Sequence, residues 1–175
     1  MATIVQGPVR VTVPATSAHL RPGFDSLGLA LSLRDELEAR TIDGGLVVEV
    51  TGEGAGEVPR DASHVGVQAM TAGFGAMGAP MPSLPLTCRN AIPHGRGLGS
   101  SSAAIVGGLA LARAMVAGGT LLMDDDSLFQ MAARLEGHPD NVAPALRGGF
   151  VISGQEGEGY FAVRSGVDPR VSAVV

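Results

Sequence analysis

The chain has 175 residues, enough for one domain whose core folds without metal or disulfide staples. Twelve basic against 17 acidic residues leave a net charge of −5, and Arg10, Arg34, Arg60, Arg96, Arg134 and Arg147 are scattered, which argues against a nucleic-acid surface. With 26 Gly, no Trp and a mean hydropathy of +0.27 it reads as an α/β globule rather than a disordered chain; the single cysteine, Cys88, excludes an internal disulfide.

No Cys/His spacing resembles a zinc site, and the first ten residues lack the charged and apolar regions of a signal peptide. The longest apolar stretch, 103–119, carries Arg113 and falls short of about 20 apolar residues, so it predicts a buried helix rather than a membrane span. A soluble protein of a reducing cytoplasm is the expectation.

Residues 9–13 alternate polar and apolar and end at Pro14, which predicts a strand running into a loop. Two more apolar runs, 27–33 and 46–50, continue a β-rich opening, the second introduced by the turn signal Asp43-Gly44-Gly45. Spacings of three and four among Val67, Met70, Thr71 and Phe74 predict a helix over 64–77, closed by Gly78-Ala79-Pro80. A strand over 84–92 then leads into PHGRGLGSSSA at 93–103 and the apolar helix 103–117. Asp126-Ser127 offers an N-cap for a helix through Leu135, followed by a loop, a short helix near Asn141 and a strand over 150–153. From Tyr160 a weak alternation runs to the end, which reads as a strand region cut short and leading to a further, missing domain. No internal repeat or long linker divides the chain.

A phosphate needs several N–H donors converging on it. The loop of Gly97, Leu98, Gly99 and Ser100 at a helix start can supply them, because glycine lets the backbone approach closely. Ser100, Ser101 and Ser102 add hydroxyls that could cap the helix, bind phosphate oxygen or reach Mg²⁺. The plainer reading is a capped helix, since the loop lacks the Lys of a Walker loop and the G-x-G-x-x-G spacing of a dinucleotide fold. Glu136, His138, Asp140 and Asn141 then crowd into six residues. Glu136 or Asp140 could hold Mg²⁺, and the two could divide the roles of metal ligand and base. Alternatively Asp140 caps the short helix and Pro139 fixes the turn.

Three ordered segments resemble the GHMP kinases, in wording closest to the homoserine kinase branch: PATSAHLRPGFDSLGLAL at 14–31, PHGRGLGSSSAAIVGG at 93–108 and EGHPDNVAPALRGGF at 136–150. The resemblance covers most of residues 8–154. It implies an α+β fold like the second domain of ribosomal protein S5, with a left-handed β-α-β unit, over 1–175. It also implies that a ferredoxin-like carboxy-terminal domain, with a further glycine-rich loop and arginines for the substrate carboxylate, is absent. The implied reaction is transfer of the γ-phosphoryl group of ATP, with Mg²⁺, to the side-chain hydroxyl of L-homoserine, a step towards threonine. Carried over, Pro93, Arg96, Gly97, Leu98, Gly99, Ser100, Ser101 and Ser102 line the phosphates, and Ser101 and Glu136 reach Mg²⁺. His19, Asp25, His138 and Asn141 face the amino acid, with Asn141, Asp140 and His138 as the catalytic set. No membrane or nucleic-acid partner is implied, and the family includes both monomers and homodimers.

Two positions depart from the family wording SANLGPGFD: His19 stands at its asparagine and Arg21 at its first glycine. With a chain shorter than the family's roughly 300 residues, the expectation is a truncated kinase, binding nucleotide weakly and inactive alone, with an apolar surface around 150–175. The competing expectations are another GHMP kinase acting on mevalonate or a sugar, and a non-catalytic binding module that kept the fold.

Overall fold

The computed structural model describes residues 2–18, 23 and 25–170. His19, Arg21 and the last five residues of the strand region expected over 160–175 lie outside them. Six strands and five helices follow in the order β1 (Val9–Ala18), β2 (Leu27–Ala39), β3 (Leu46–Gly52), α1 (Val65–Ala76), β4 (Leu84–Asn90), α2 (Ser100–Met115), α3 (Gly119–Leu122), α4 (Asp125–Glu136), α5 (Val142–Arg147), β5 (Phe150–Glu156) and β6 (Gly159–Ser165).

All six strands form one mixed sheet, in which only β3 and β4 pair in parallel, joined by α1 as the crossover. β2 is the spine: β1 lies along one edge, while the other edge is shared by β5 at 27–29 and β4 at 36–39. β1 does not stop at Pro14. It continues to Ala18 because an irregularity lets Ala15 face three residues of β2, with Pro14 opposite Arg34 and Thr16 opposite Ala30. Asp35, Leu37 and Ala39 are the buried set in the second half of β2, and Gly28 is buried in the first, so the inward-facing positions change parity between the two halves.

Helices α1 and α2 pack closely through glycines. A Cβ at Gly108 would lie 2.4 Å from the Gly66 carbonyl oxygen, and one at Gly107 would lie 2.8 Å from Leu37. This explains why the stretch expected over 103–117 is so rich in small residues. The helix itself starts three residues earlier, at Ser100, and ends at Met115. Met70, Phe74, Leu109, Leu111, Met115, Leu128 and Phe129 are completely buried, as are Leu84 and Leu86 of β4. The cap expected at Asp126-Ser127 is instead Asp124, whose carboxylate accepts from the Ser127 N–H. An Asp two positions upstream leaves Asp125 and Asp126 in the first turn, where carboxylates suit the positive helix end.

The sheet surface away from the helices is divided. Across β1, β2 and β4 it carries ion pairs, Arg10 with Glu38 and Arg89 with Glu36. Across β5 and β6 it is apolar: Ile152 faces Val163, Gly154 faces Phe161, and Ile152, Phe161 and Val163 are all exposed.

Candidate active site

The glycine loop leaves β4 under the control of one buried carboxylate. Asp35 Oδ1 accepts from the N–H groups of Ala91 at 2.7 Å and Ile92 at 2.9 Å. Burial is the leading influence and raises the Asp35 carboxyl above its ordinary 3.8, against the opposing pull of these two bonds. Beyond it, Gly95, Gly97 and Gly99 take φ of 65°, 73° and 70°. Left-handed residues at alternate positions before a helix turn backbone N–H groups towards one point, the arrangement that binds anions. Any other L-residue there would be strained by roughly 1–2 kcal/mol. Pro93 is half-buried at the start of the loop and Arg96 is exposed.

No serine caps α2. The N-cap is Gly99, without a side-chain cap bond, so the capped-helix reading of the serines gives way to another. Ser101 and Ser102 donate to Glu136 Oε2 and Oε1, each at 2.9 Å. Glu136 is the last residue of α4, and Gly137, with φ 93°, ends that helix and swings the chain towards 138–141. Among the described residues no group of three or more His, Cys, Asp or Glu could hold a metal.

In the segment after Gly137, His138 Nδ1 lies 2.6 Å from Asp140 Oδ1, and the same oxygen accepts from the Asn141 N–H at 3.0 Å. Asp140 is fully buried. The Asp140 carboxylate thus does bind the start of α5, although Asn141 occupies the cap position. Asn141 Oδ1 accepts from the hydroxyl of Thr16 at 2.9 Å. Thr16 is completely buried, and its N–H donates to the Leu98 carbonyl at 3.0 Å, so one residue of β1 touches both the glycine loop and the 136–141 segment. Close fit continues at Gly99, where a Cβ would sit 2.1 Å from Thr16 Oγ1 and 3.2 Å from Asn141 Oδ1.

Asp25 occupies the turn that starts β2. Its φ of 58° is the only left-handed one among described non-glycine residues, a conformation Asp tolerates better than most. The turn is pinned by Leu27 N–H to Gly23 O and by Ser153 N–H to Ser26 O. Three residues on, a Cβ at Gly28 would come within 2.1 Å of the Asp140 carbonyl, so the start of β2 is pressed against the acidic segment. The three motif segments are brought together in this way. Sequence reading missed Thr16, which stands inside the first motif but carries no signal in the spacing of its neighbours.

It also missed a cavity of about 190 Å³ beside the loop, lined by Asp35, Leu37, His64, Cys88, Ser101 and Ala104 among others. His64 caps α1, its Nδ1 accepting from the Gly66 N–H at 3.1 Å, and burial pushes the imidazole below its ordinary 6.5. Burial, helped by Asp35, pushes the Cys88 thiol up to about 12, so it is a packing group rather than a nucleophile.

A mixed sheet with one parallel crossover, a glycine loop opening α2, and a serine pair bonded to the last residue of α4 make the chain similar to a GHMP kinase amino-terminal domain. The family model described as GHMP kinases N terminal domain matches residues 65–149, from α1 to the Gly148-Gly149 exit. Curated relatives include homoserine kinases: that of Mycolicibacterium smegmatis is 53% identical over 163 residues, covering 93% of this chain and 50% of that protein. The solved homoserine kinase of Cytophaga hutchinsonii is 27% identical with a TM-score of 0.76, covering 93% of this chain and 53% of the other. The L. major mevalonate kinase, at 14% identity and a TM-score of 0.66 over 93% of this chain and 56% of its own, shares the fold. The chain spans about half the length of the curated relatives it matches. No helix among the described residues is long and apolar enough to cross a membrane.

Proposed function

We propose that this chain forms the nucleotide-binding and acceptor-binding part of an ATP-dependent homoserine kinase, phosphorylating the side-chain hydroxyl of L-homoserine in cytoplasmic threonine biosynthesis. The observation that carries the reading is the junction of Ser101 and Ser102 with Glu136 at the mouth of the left-handed glycine loop. Residues 1–175 are read as the ATP-binding domain. Homoserine is favoured over mevalonate because identity to homoserine kinases reaches 53% while the mevalonate kinase likeness is one of fold.

Phosphoryl transfer is largely positioning and charge stabilisation. Gly97, Leu98, Gly99, Ser100 and Ser101 hold the phosphates on backbone N–H groups, with Pro93 and Arg96 bordering them and Ser102 bracing Glu136. The cavity lined by Leu37, His64 and Ala104 opens onto Ser101, so it is the place for the adenine ring. One carboxylate and neighbouring hydroxyls are hard oxygen donors of the kind Mg²⁺ takes alongside phosphate oxygens, and Glu136 with Ser101 fits that requirement. Bound there, Mg²⁺ would neutralise charge on the phosphates.

On the acceptor side, Asp25 pairs with the ammonium of the amino acid, and His138 and Asn141 bind its hydroxyl or carboxylate. Asp140 is buried and already engaged by His138 and the Asn141 N–H, which suits a residue that holds His138 rather than one that takes the proton itself.

Calorimetric titration of the chain with ATP and Mg²⁺, with and without L-homoserine, tests the reading. Saturable binding of both ligands, with nucleotide weakened in Ser101→Ala, is the expected result. A folded chain that binds neither ligand would leave a module that kept the fold without the site.

A further inference from the structure

We propose that Thr16 is a positioning residue: its buried hydroxyl fixes the Asn141 carboxamide so that the Nδ2 amide, the donor end, is turned to the acceptor substrate. The inference rests on the reading of this site as a homoserine kinase site.

An asparagine side chain can present either end of its amide, and nothing in its own rotamer decides between them. Here the choice is made from outside. Thr16 Oγ1 donates to Asn141 Oδ1 at 2.9 Å, across 125 residues of sequence. Thr16 has no exposed surface, so water does not compete for that hydroxyl. A hydroxyl that spends its proton on Oδ1 leaves Nδ2 facing away from β1, and among the described residues no protein acceptor holds Nδ2. An amide donor suits a carboxylate or hydroxyl oxygen of an amino acid, whereas the flipped amide would offer the substrate an acceptor end and make Thr16 the acceptor, leaving its buried hydroxyl proton without a partner among the described residues.

The same residue sets the distance between the two halves of the site. Its N–H holds the Leu98 carbonyl at 3.0 Å, and its hydroxyl fills the space that a Cβ on Gly99 would need. The backbone bond survives any side-chain change, so the loop contact and the Asn141 contact are separable. Removing only the hydroxyl then disturbs acceptor binding and spares nucleotide binding.

The test uses Thr16→Val, which keeps the shape and removes the proton, and Thr16→Ser, which restores it. Thr16→Val is expected to bind L-homoserine about tenfold more weakly, the loss that goes with one directed hydrogen bond. Its affinity for ATP with Mg²⁺ should stay within about twofold, and Thr16→Ser should recover acceptor binding. In parallel, the two Asn141 Nδ2 proton resonances are assigned by Asn141→Asp and should shift in Thr16→Val but not in Thr16→Ser. Equal weakening of both ligands, failure of serine to rescue, or unmoved Asn141 resonances would overturn the proposal. If the unaltered chain binds no L-homoserine, the homoserine reading falls, and the resonance shifts still decide whether Thr16 orients Asn141.

Discussion

The Ser101 hydroxyl and the Glu136 carboxylate, 35 residues apart, meet at 2.9 Å and join the start of α2 to the end of α4. The bond ties a serine in the first turn of α2 to a carboxylate, so the two act together. In Glu136→Gln the charge is lost while the size is kept. The gain in ATP affinity that Mg²⁺ confers is expected to fall by about tenfold or more, with affinity for metal-free ATP unchanged or higher. Calorimetry with and without Mg²⁺ measures both quantities; an intact Mg²⁺ effect would remove Glu136 from the metal site.

Gly99 and Gly97 share left-handed φ values but not surroundings. A Cβ at Gly99 meets the Thr16 hydroxyl at 2.1 Å, while one at Gly97 meets nothing within 4 Å. Gly97→Ala therefore carries backbone strain alone, roughly 1–2 kcal/mol. Gly99→Ala adds the collision and should lose at least about 1 kcal/mol more, together with nucleotide binding. Urea unfolding of the two variants side by side gives the difference, and equal losses would mean that Thr16 yields without cost.

Two buried titratable groups beside the cavity oppose each other in their pH dependence. His64 has its pKa lowered by burial, so the unfolded chain binds its proton more readily and stability drops as pH falls below about 6.5. Asp35 has its pKa raised by burial, so the folded chain holds its proton longer; that contribution is complete below 3.8 and is lost as pH climbs through the raised value. Asparagine is a good cap, so His64→Asn keeps the start of α1 while removing the titration. Unfolding free energies measured from about pH 7 down to 5 should fall less steeply in His64→Asn than in the unaltered chain. Parallel slopes would show that the imidazole is accessible in the folded chain.

The apolar face of β5 and β6 exposes Ile152, Phe161 and Val163 side by side. A contiguous apolar patch of this kind binds hydrophobic dyes. Replacing Phe161 and Val163 by Thr together should lower the fluorescence of such a dye, with little change in ATP affinity because neither residue borders the glycine loop. Undiminished dye binding would place the sticky surface elsewhere.

Much of the local structure was legible along the chain. The helix over 64–77 is α1 with its flanking caps, His64 and Met77, because spacings of three and four and the Gly78 stop act within a few residues. The loop over 93–103 was legible as a glycine turn before a helix for the same reason: glycine at alternate positions answers a local need for left-handed φ. The strand stop at Pro14 misread the same kind of signal. Proline lacks an N–H but β1 accommodates it, since register shifts just beyond it and lets the strand run on to Ala18.

What the sequence alone determined, then, was the identity and order of the elements other than the short α3, and three segments of chemistry-bearing residues, because backbone preference and side-chain type are properties of near neighbours. Only the tertiary structure decided which of those groups meet. Thr16 reaches Asn141 across 125 residues, Asp35 holds Ile92 across 57, and Ser102 joins Glu136 across 34. They stand beside the register shift between β1 and β2 and the glycine-thin seam between α1 and α2. Both are outcomes of packing, in which many weak and distant contacts are satisfied together, and no window of neighbouring residues contains them.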